Sequence, residues 1–127
     1  MIVSTPISLG ELIDKISILR IKKINIKDQQ KLSHIDKELN LLEGILKNSV
    51  SDKKIDEYLN KLIEVNSMLW IIEDNIRECE KEKKFDEKFI QLARSVYQTN
   101  DKRSEIKLNI NKYFGSTLVE VKSYKKY

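Results

Sequence analysis

Residues 58–79, YLNKLIEVNSMLWIIEDNIREC, decide the fold of this chain. The apolar residues of this stretch recur in alternating steps of four and three, which places them on one side of an α-helix. They are Tyr58, Leu62, Val65, Leu69, Ile72, Ile76 and Cys79. This spacing is typical of a coiled-coil seam. It predicts a helix from about Asp52 to Lys83, roughly 45 Å long at 1.5 Å per residue.

Three further helices are predicted around this one. The first begins after Ser8, which has a glutamate three positions later in a capping-box pattern, and runs to about Ile24. The second covers about Gln29–Lys47, and the fourth covers about Asp86–Phe114. Gly115 follows the fourth helix and suits a left-handed cap, because glycine has no Cβ to oppose a positive φ.

Short links between long amphipathic helices favour antiparallel neighbours. We therefore predict an all-α, antiparallel four-helix arrangement, built on a long hairpin of the third and fourth helices, in one domain over residues 1–127. The two ends, Met1–Ile7 and Thr117–Tyr124, have strand-like patterns. They either pair as a short terminal β-ribbon or lie as extended arms.

The composition favours helices and restricts the classes of molecule that the protein is expected to bind. The 127 residues are 40% hydrophobic and 35% charged, with one Pro and three Gly, which disfavours a turn-rich β fold. The net charge of +4 is spread among alternating signs, so a nucleic-acid groove is not required. Cys79 is the single cysteine, and no Cys/His cluster offers zinc ligation, so a reducing cytoplasm is predicted. No apolar run approaches the ~20 residues that span a bilayer.

The third predicted helix carries polar residues beside its apolar seam. At about 100° per residue, Asn66, Trp70, Glu73 and Arg77 share a narrow stripe that should partly face a neighbouring helix. A surface ion pair between Glu73 and Arg77 explains two of them without any function. Asn66 has a structural explanation too, because one buried amide in a seam can fix helix register.

The fourth predicted helix is less easily explained. Arg103 lies within its apolar face, and burying an unpaired arginine costs several kcal/mol. Glu73 is the partner that we expect for it. Together these positions predict a polar layer between the two long helices, with these candidate site residues: Asn66, Trp70, Glu73, Arg77, Thr99, Asn100, Arg103 and Lys107. The layer is either a buried network that fixes register or a pocket for an anionic or hydroxyl-bearing ligand, with Trp70 as a flat wall.

Other polar residues carry weaker signals. Four acids could bind Mg²⁺ if their helices adjoin, namely Glu11, Asp14, Glu73 and Asp74. We favour ordinary helix charges, because the capping box already explains Glu11. His34 is predicted at the surface, and the basic tail with Lys125 and Lys126 is predicted to be solvated. No metal site is therefore predicted.

Several stretches carry a resemblance to a known family. They are SLGELIDKI at residues 8–16, Asn66 with Leu69-Trp70, IEDNIR at 72–77, FIQLARSVY at 89–97, Thr99-Asn-Asp, and EVKSY at 120–124. Together they resemble a small bacterial family of unknown function, sometimes encoded near surface-polysaccharide glycosyltransferases. The resemblance covers nearly the whole chain and implies a compact helical protein, but it implies no catalytic residue.

Two functional hypotheses follow. The leading one is a helical binding or accessory protein, with the polar layer as the site for an anionic small molecule or a protein partner, and with self-association as a homodimer through the apolar seam. It links the protein to surface-polysaccharide synthesis through the resemblance alone. The alternative is a Mg²⁺-dependent nucleotide or sugar-phosphate hydrolase of the all-α type. The sequence leaves open whether the chain is an enzyme, and no cofactor is expected outside this alternative.

Overall fold

The computed structural model describes all residues, Met1–Tyr127, and contains four α-helices and no strand. The helices are α1 (Leu9–Asn25), α2 (Gln29–Ser49), α3 (Lys54–Glu82) and α4 (Glu87–Phe114). The all-α prediction is confirmed, and each predicted helix end lies within about two residues of the observed one, as expected when ends fray. None of the four helices is long and apolar enough to cross a bilayer.

Local caps set most of the helix ends. Ser8, Asp28 and Asp86 each accept a hydrogen bond from the backbone N–H three positions later, at the starts of α1, α2 and α4. This satisfies one of the donors that a helix start leaves free. α4 ends at Gly115 with φ of 66°, as its position in the sequence predicts. α3 ends at Lys83, whose φ of 56° is unusual for a residue with a side chain.

α1 is the central helix of the packing. It contacts the other three helices, whereas α2 packs only against α1, and α3 packs along α4. The core is one apolar cluster in which Ile13, Ile16, Leu62 and Ile110 are fully buried. Because Leu62 belongs to the predicted seam and is buried within a single chain, the seam is at least partly used inside the fold. Self-association stays a prediction.

Aromatic contacts show how the ends of α3 and α4 lie. The ring of Tyr58, near the start of α3, lies 5.8 Å from the ring of Tyr113 and 6.1 Å from that of Phe114, between centroids. Tyr113 and Phe114 close α4. The start of α3 therefore lies beside the end of α4.

The terminal β-ribbon does not form, because neither end contains a strand. Residues 1–7 are exposed. Residues 116–127, which we call the C-terminal segment, contact α4 through side chains instead: Glu120 binds Lys107, and the hydroxyl of Tyr127 donates to Asp101. A two-stranded ribbon alone is only marginally stable in water. In this protein, side-chain contacts with α4 hold the C-terminal segment, in place of the backbone hydrogen bonds that a ribbon would have formed.

Candidate functional site

A buried carboxylate organises the polar part of the interior. Asp14 of α1 is fully buried, and both of its oxygens accept hydrogen bonds from the guanidinium of Arg103. The Nε of Arg103 lies 3.0 Å from Oδ1 of Asp14. Such two-pronged bonds fix the plane of the guanidinium as well as its position. They also raise the pKa of Arg103, so the guanidinium keeps its positive charge.

Lys107 forms a second junction, one turn further along α4. Its amine donates to Glu11 at 2.7 Å, and also binds Glu120 at 2.9 Å. Burial lowers the pKa of Lys107, but the hydrogen bonds to the two glutamates outweigh this effect and leave the pKa raised. In return, hydrogen bonds from Lys107 and Lys122 hold the pKa of Glu120 at about 2. Lys107 therefore ties α1, α4 and the C-terminal segment together. We call Glu11, Asp14, Arg103, Lys107 and Glu120 the ionic cluster.

Asn66 links α3 to the same carboxylate. Its side-chain amide donates to Oδ1 of Asp14 at 2.8 Å and to the hydroxyl oxygen of Ser17 at 2.7 Å. The Ser17 hydroxyl in turn donates to the backbone oxygen of Asp14 at 2.7 Å. Asp14 is thus held by groups from three helices, whereas the side-chain oxygen of Asn66 receives no hydrogen bond from the protein.

The predicted partner of Arg103 is wrong. Arg103 pairs with Asp14, while Glu73 pairs with Arg77 on α3 itself at 3.5 Å, as the structural explanation of those two residues anticipates. The physical reason is that α1 carries a polar stripe of its own, which faces α3 and α4. Gly10, Asp14 and Ser17 recur in steps of four and three, and all three are buried. That stripe is the sequence signal that points to Asp14.

Glu11 also differs from its predicted role. Ser8 caps α1 by accepting a hydrogen bond from the backbone N–H of Glu11 at 3.1 Å. The carboxylate of Glu11, however, binds Lys107 of α4. The capping pattern therefore predicts where the helix starts but does not account for the glutamate side chain.

The largest hollow in the surface, which we call the cationic cavity, lies between α4 and the C-terminal segment, with a volume of ≈ 740 Å³. Its polar lining includes four cationic side chains, three carboxylates, an amide and a hydroxyl. Three tyrosines add flat walls. The lining comprises Arg103, Lys107, Lys122, Lys125, Glu11, Asp101, Glu120, Asn100, Ser104, Val96, Tyr97, Tyr124 and Tyr127.

Several donors in the cationic cavity are not used by the protein. The Nε and Nη2 of Arg103 donate hydrogen bonds to Asp14, whereas its Nη1 has no protein acceptor. Lys125 is exposed and forms no ion pair. The carboxylate partner of Lys122 is Glu120, at 2.7 Å, and the Lys122 amine also lies 5.8 Å from the ring centroid of Tyr124. Lys107 differs, because its carboxylate partners already occupy it. The free donors are therefore at Arg103, Lys122 and Lys125.

A second hollow, which we call the Trp70 cleft, has a volume of ≈ 410 Å³. Apolar side chains from α1 and α3 form part of its lining, and acidic and amide groups form much of the rest. The lining comprises Ile18, Ile21, Lys22, Asn66, Leu69, Trp70, Glu73, Asp74, Asn100 and Arg103. Asn100 and Arg103 also line the cationic cavity. The two spaces therefore adjoin at these two residues.

The predicted site residues divide among these places. Five of them line the Trp70 cleft: Asn66, Trp70, Glu73, Asn100 and Arg103. Lys107 lines the cationic cavity. Thr99 is buried and Arg77 has a side chain that is 78% exposed, and neither lines either space.

Sequence reasoning missed most of the walls of the cationic cavity. Glu120, Lys122 and Tyr124 alternate along the chain, and in an extended segment alternate side chains point to one side. This alternation is the signal that groups them, and a strand and an extended arm share it. Lys125 lines the cavity as well, rather than being only solvated. Which helix this side faces depends on the tertiary contact of Glu120 with Lys107.

The acids considered for Mg²⁺ do not come together. Glu11 and Asp14 bind Lys107 and Arg103, while Glu73 and Asp74 line the Trp70 cleft. The structure contains no group of three or more His, Cys, Asp or Glu side chains placed to hold a metal ion.

No protein-family model, curated protein or solved structure matches this chain. Its function must therefore be argued from the residues themselves. In the cationic cavity and in the Trp70 cleft, polar groups that the protein does not use face a hollow of suitable size for a small molecule.

Proposed function

We propose that this protein is a binding protein that holds a small anionic ligand, bearing a phosphate or carboxylate group, in the cationic cavity. One observation carries the proposal: unused donors of Arg103, Lys122 and Lys125 line a single cavity of ≈ 740 Å³. Ligand pockets in proteins commonly measure about 300–1,000 Å³. Hydrogen bonds from cationic donors to an anion are about twice as strong as neutral ones.

The fixed position of Arg103 before any ligand binds also supports a ligand-binding role for the cationic cavity. Arg103 is held from behind by both oxygens of a fully buried Asp14, so little of its conformational freedom is left to lose when a ligand binds. Lys107 acts as a positioning residue, because it fixes Glu120 and with it the C-terminal segment that forms one wall. The tyrosines at 97, 124 and 127 provide flat walls and hydroxyl groups for the uncharged part of a ligand.

The ionic cluster by itself also serves the stability of the fold. Asp14 and Arg103 would hold α1 against α4 whether or not a ligand bound nearby. Lys125 is different, because it has no carboxylate partner and adds nothing to that network. An unpaired lysine in a cavity that also contains the free edge of an arginine favours ligand binding over a purely structural role.

The proposal extends to the fold, the location and the assembly of the protein. We treat α3 and α4 as an antiparallel hairpin, supported by the contact between the start of α3 and the end of α4. The cytoplasmic location, the homodimer and the link to surface-polysaccharide synthesis are included as proposals, the last on the resemblance alone.

The test is a titration with inorganic phosphate, followed by calorimetry, of the natural protein and of the double variant Lys122→Ala/Lys125→Ala. We expect the double variant to bind phosphate about tenfold or more weakly, because a hydrogen bond to a charged group contributes about 1.5–3 kcal/mol. Both lysines are exposed, so the fold should not change.

Lys102→Ala is the matched control. Lys102 is an exposed lysine of α4 that lines neither the cationic cavity nor the Trp70 cleft. Its removal should leave the phosphate affinity unchanged. Equal losses in Lys102→Ala and in the double variant would show nonspecific charge attraction, and no phosphate binding at millimolar concentration would remove the proposal.

A further inference from the structure

We infer that the Trp70 cleft binds a hydroxyl-bearing ring attached to the anionic group, so that one ligand occupies both the cleft and the cationic cavity. This inference rests on the proposed function and names the class of ligand: a ring with several hydroxyl groups, linked to a phosphate. A phosphorylated sugar and a nucleoside monophosphate share this chemistry.

The apolar side of the cleft suits the face of a ring. Trp70 and Leu69 of α3 line it together with Ile18 and Ile21 of α1, and Trp70 is half-buried. An indole that keeps an accessible face can stack against another flat or weakly apolar surface. The C–H face of a sugar ring and the face of a base both meet this requirement.

The polar side of the cleft includes several acceptors, beside the amine of Lys22 and the guanidinium of Arg103. Glu73 and Asp74 are carboxylates, Asp74 has no ion-pair partner, and the side-chain oxygen of Asn66 receives no hydrogen bond from the protein. Acceptors at the edge of an apolar cleft require donors from the ligand, since a carboxylate left without donors on losing water is costly. Hydroxyl groups around a ring supply such donors.

The two spaces meet where the ring would be joined to the anion. Asn100 and Arg103 line both of them, and the Nη1 of Arg103 has no protein acceptor. Four cations and three carboxylates line the cationic cavity, whereas two of each line the cleft, so the cavity has the larger excess of positive charge. A ligand with its anionic group in the cavity and its hydroxyl donors toward Glu73 and Asp74 matches this arrangement.

Trp70 makes the inference directly testable, because it is the single tryptophan of the chain. Its fluorescence can be followed during titration with inorganic phosphate, glucose, glucose 1-phosphate and uridine monophosphate. We expect phosphate to bind without changing the Trp70 emission. At least one of the two ring-bearing phosphates should change it and bind tenfold or more tightly than phosphate. The comparison between these two compounds identifies the kind of ring.

A variant separates the cleft from the cavity. Trp70→Leu should reduce the affinity for the preferred ring-bearing phosphate to about that for inorganic phosphate, measured by calorimetry. Its affinity for phosphate itself should stay the same. Ile71→Ala is the matched control, because Ile71 is 61% exposed, is adjacent in the sequence and lies outside the cleft. It should bind both probes like the natural protein.

The outcomes distinguish the two proposals. If phosphate binds but no ring-bearing compound binds more tightly or changes the Trp70 emission, the cleft is not a ring site and the anion site stands. If neither phosphate nor the ring-bearing phosphates bind, both proposals fail. If Trp70→Leu does not fold, the fluorescence titration of the natural protein still decides the question.

Discussion

The two sides of α1 make different kinds of contact with the neighbouring helices. Toward α2, α1 shares an apolar cluster to which α2 contributes Ile35, Leu39 and Leu46. Ion pairs such as Arg20–Glu43 also join these two helices, and they are partly exposed. Toward α4, which contributes Ile110 to the same cluster, buried polar contacts are added, with Asp14 against Arg103.

The two kinds of contact differ in how strictly they specify the packing of the helices. Apolar side chains of about the right size can replace one another in a core, and exposed ion pairs contribute only about 0–1 kcal/mol. A buried charge has no such freedom, because removal of its partner leaves it without compensation. The α2 side therefore holds the helices together, whereas the α4 side fixes one geometry. The candidate site is on the specific side.

The largest expected effect comes from breaking the buried pair. Arg103→Leu should lower the free energy of unfolding by about 3–5 kcal/mol, because the Asp14 carboxylate then stays buried without its main partner. Urea denaturation followed by circular dichroism measures this loss. Asp14→Leu/Arg103→Leu should recover most of it, since replacing a whole buried ion pair by apolar groups is often close to neutral. A single variant as stable as the natural protein would contradict the comparison.

An intermediate effect is expected from the close approach of α1 to α4. Gly10 donates its backbone N–H to the side-chain oxygen of Asn111 at 2.7 Å, and an added Cβ would lie 2.6 Å from the backbone oxygen of Lys107. Gly10→Ala should therefore push the helices apart and cost about 1–3 kcal/mol. Thermal unfolding measures the change.

Gly44→Ala is the control for this experiment. Gly44 lies within α2, and an added Cβ there would meet nothing within 4 Å. Alanine should stabilise this position by about 0.5–1 kcal/mol, because glycine is unfavourable within a helix. Opposite signs at the two glycines would confirm that backbone contact, and not helix propensity, decides at Gly10. The same sign at both would show that α1 can move away from α4 freely.

The smallest effect is expected on the α2 side. The Arg20–Glu43 pair has an N–O distance of 2.9 Å, but its side chains are 41% and 37% exposed. Glu43→Ala should cost only about 0.2–1 kcal/mol, and a double-mutant cycle with Arg20→Ala should give a coupling energy of the same size. A coupling energy above about 2 kcal/mol would mean that both sides of α1 depend on specific charge pairs.

Part of the candidate site could be predicted from helical geometry alone. Asn66 and Arg103 were identified because they lie where apolar residues are expected, and both take part in the buried polar network. Asp14 was identified only as one of several acids. Its importance depends on which helix faces α1 at that height, and periodicity within one helix carries no information about its neighbours.

The sequence by itself determined the four helices and most of their ends. The reason is that caps and hydrogen bonds within a helix join residues only three or four positions apart. By contrast, the pairing of Arg103 with Asp14, 89 positions away, is visible only in the three-dimensional structure, and so is the position of the C-terminal segment along the cationic cavity. Such contacts depend on how the helices pack, and many packings satisfy the same pattern of apolar residues.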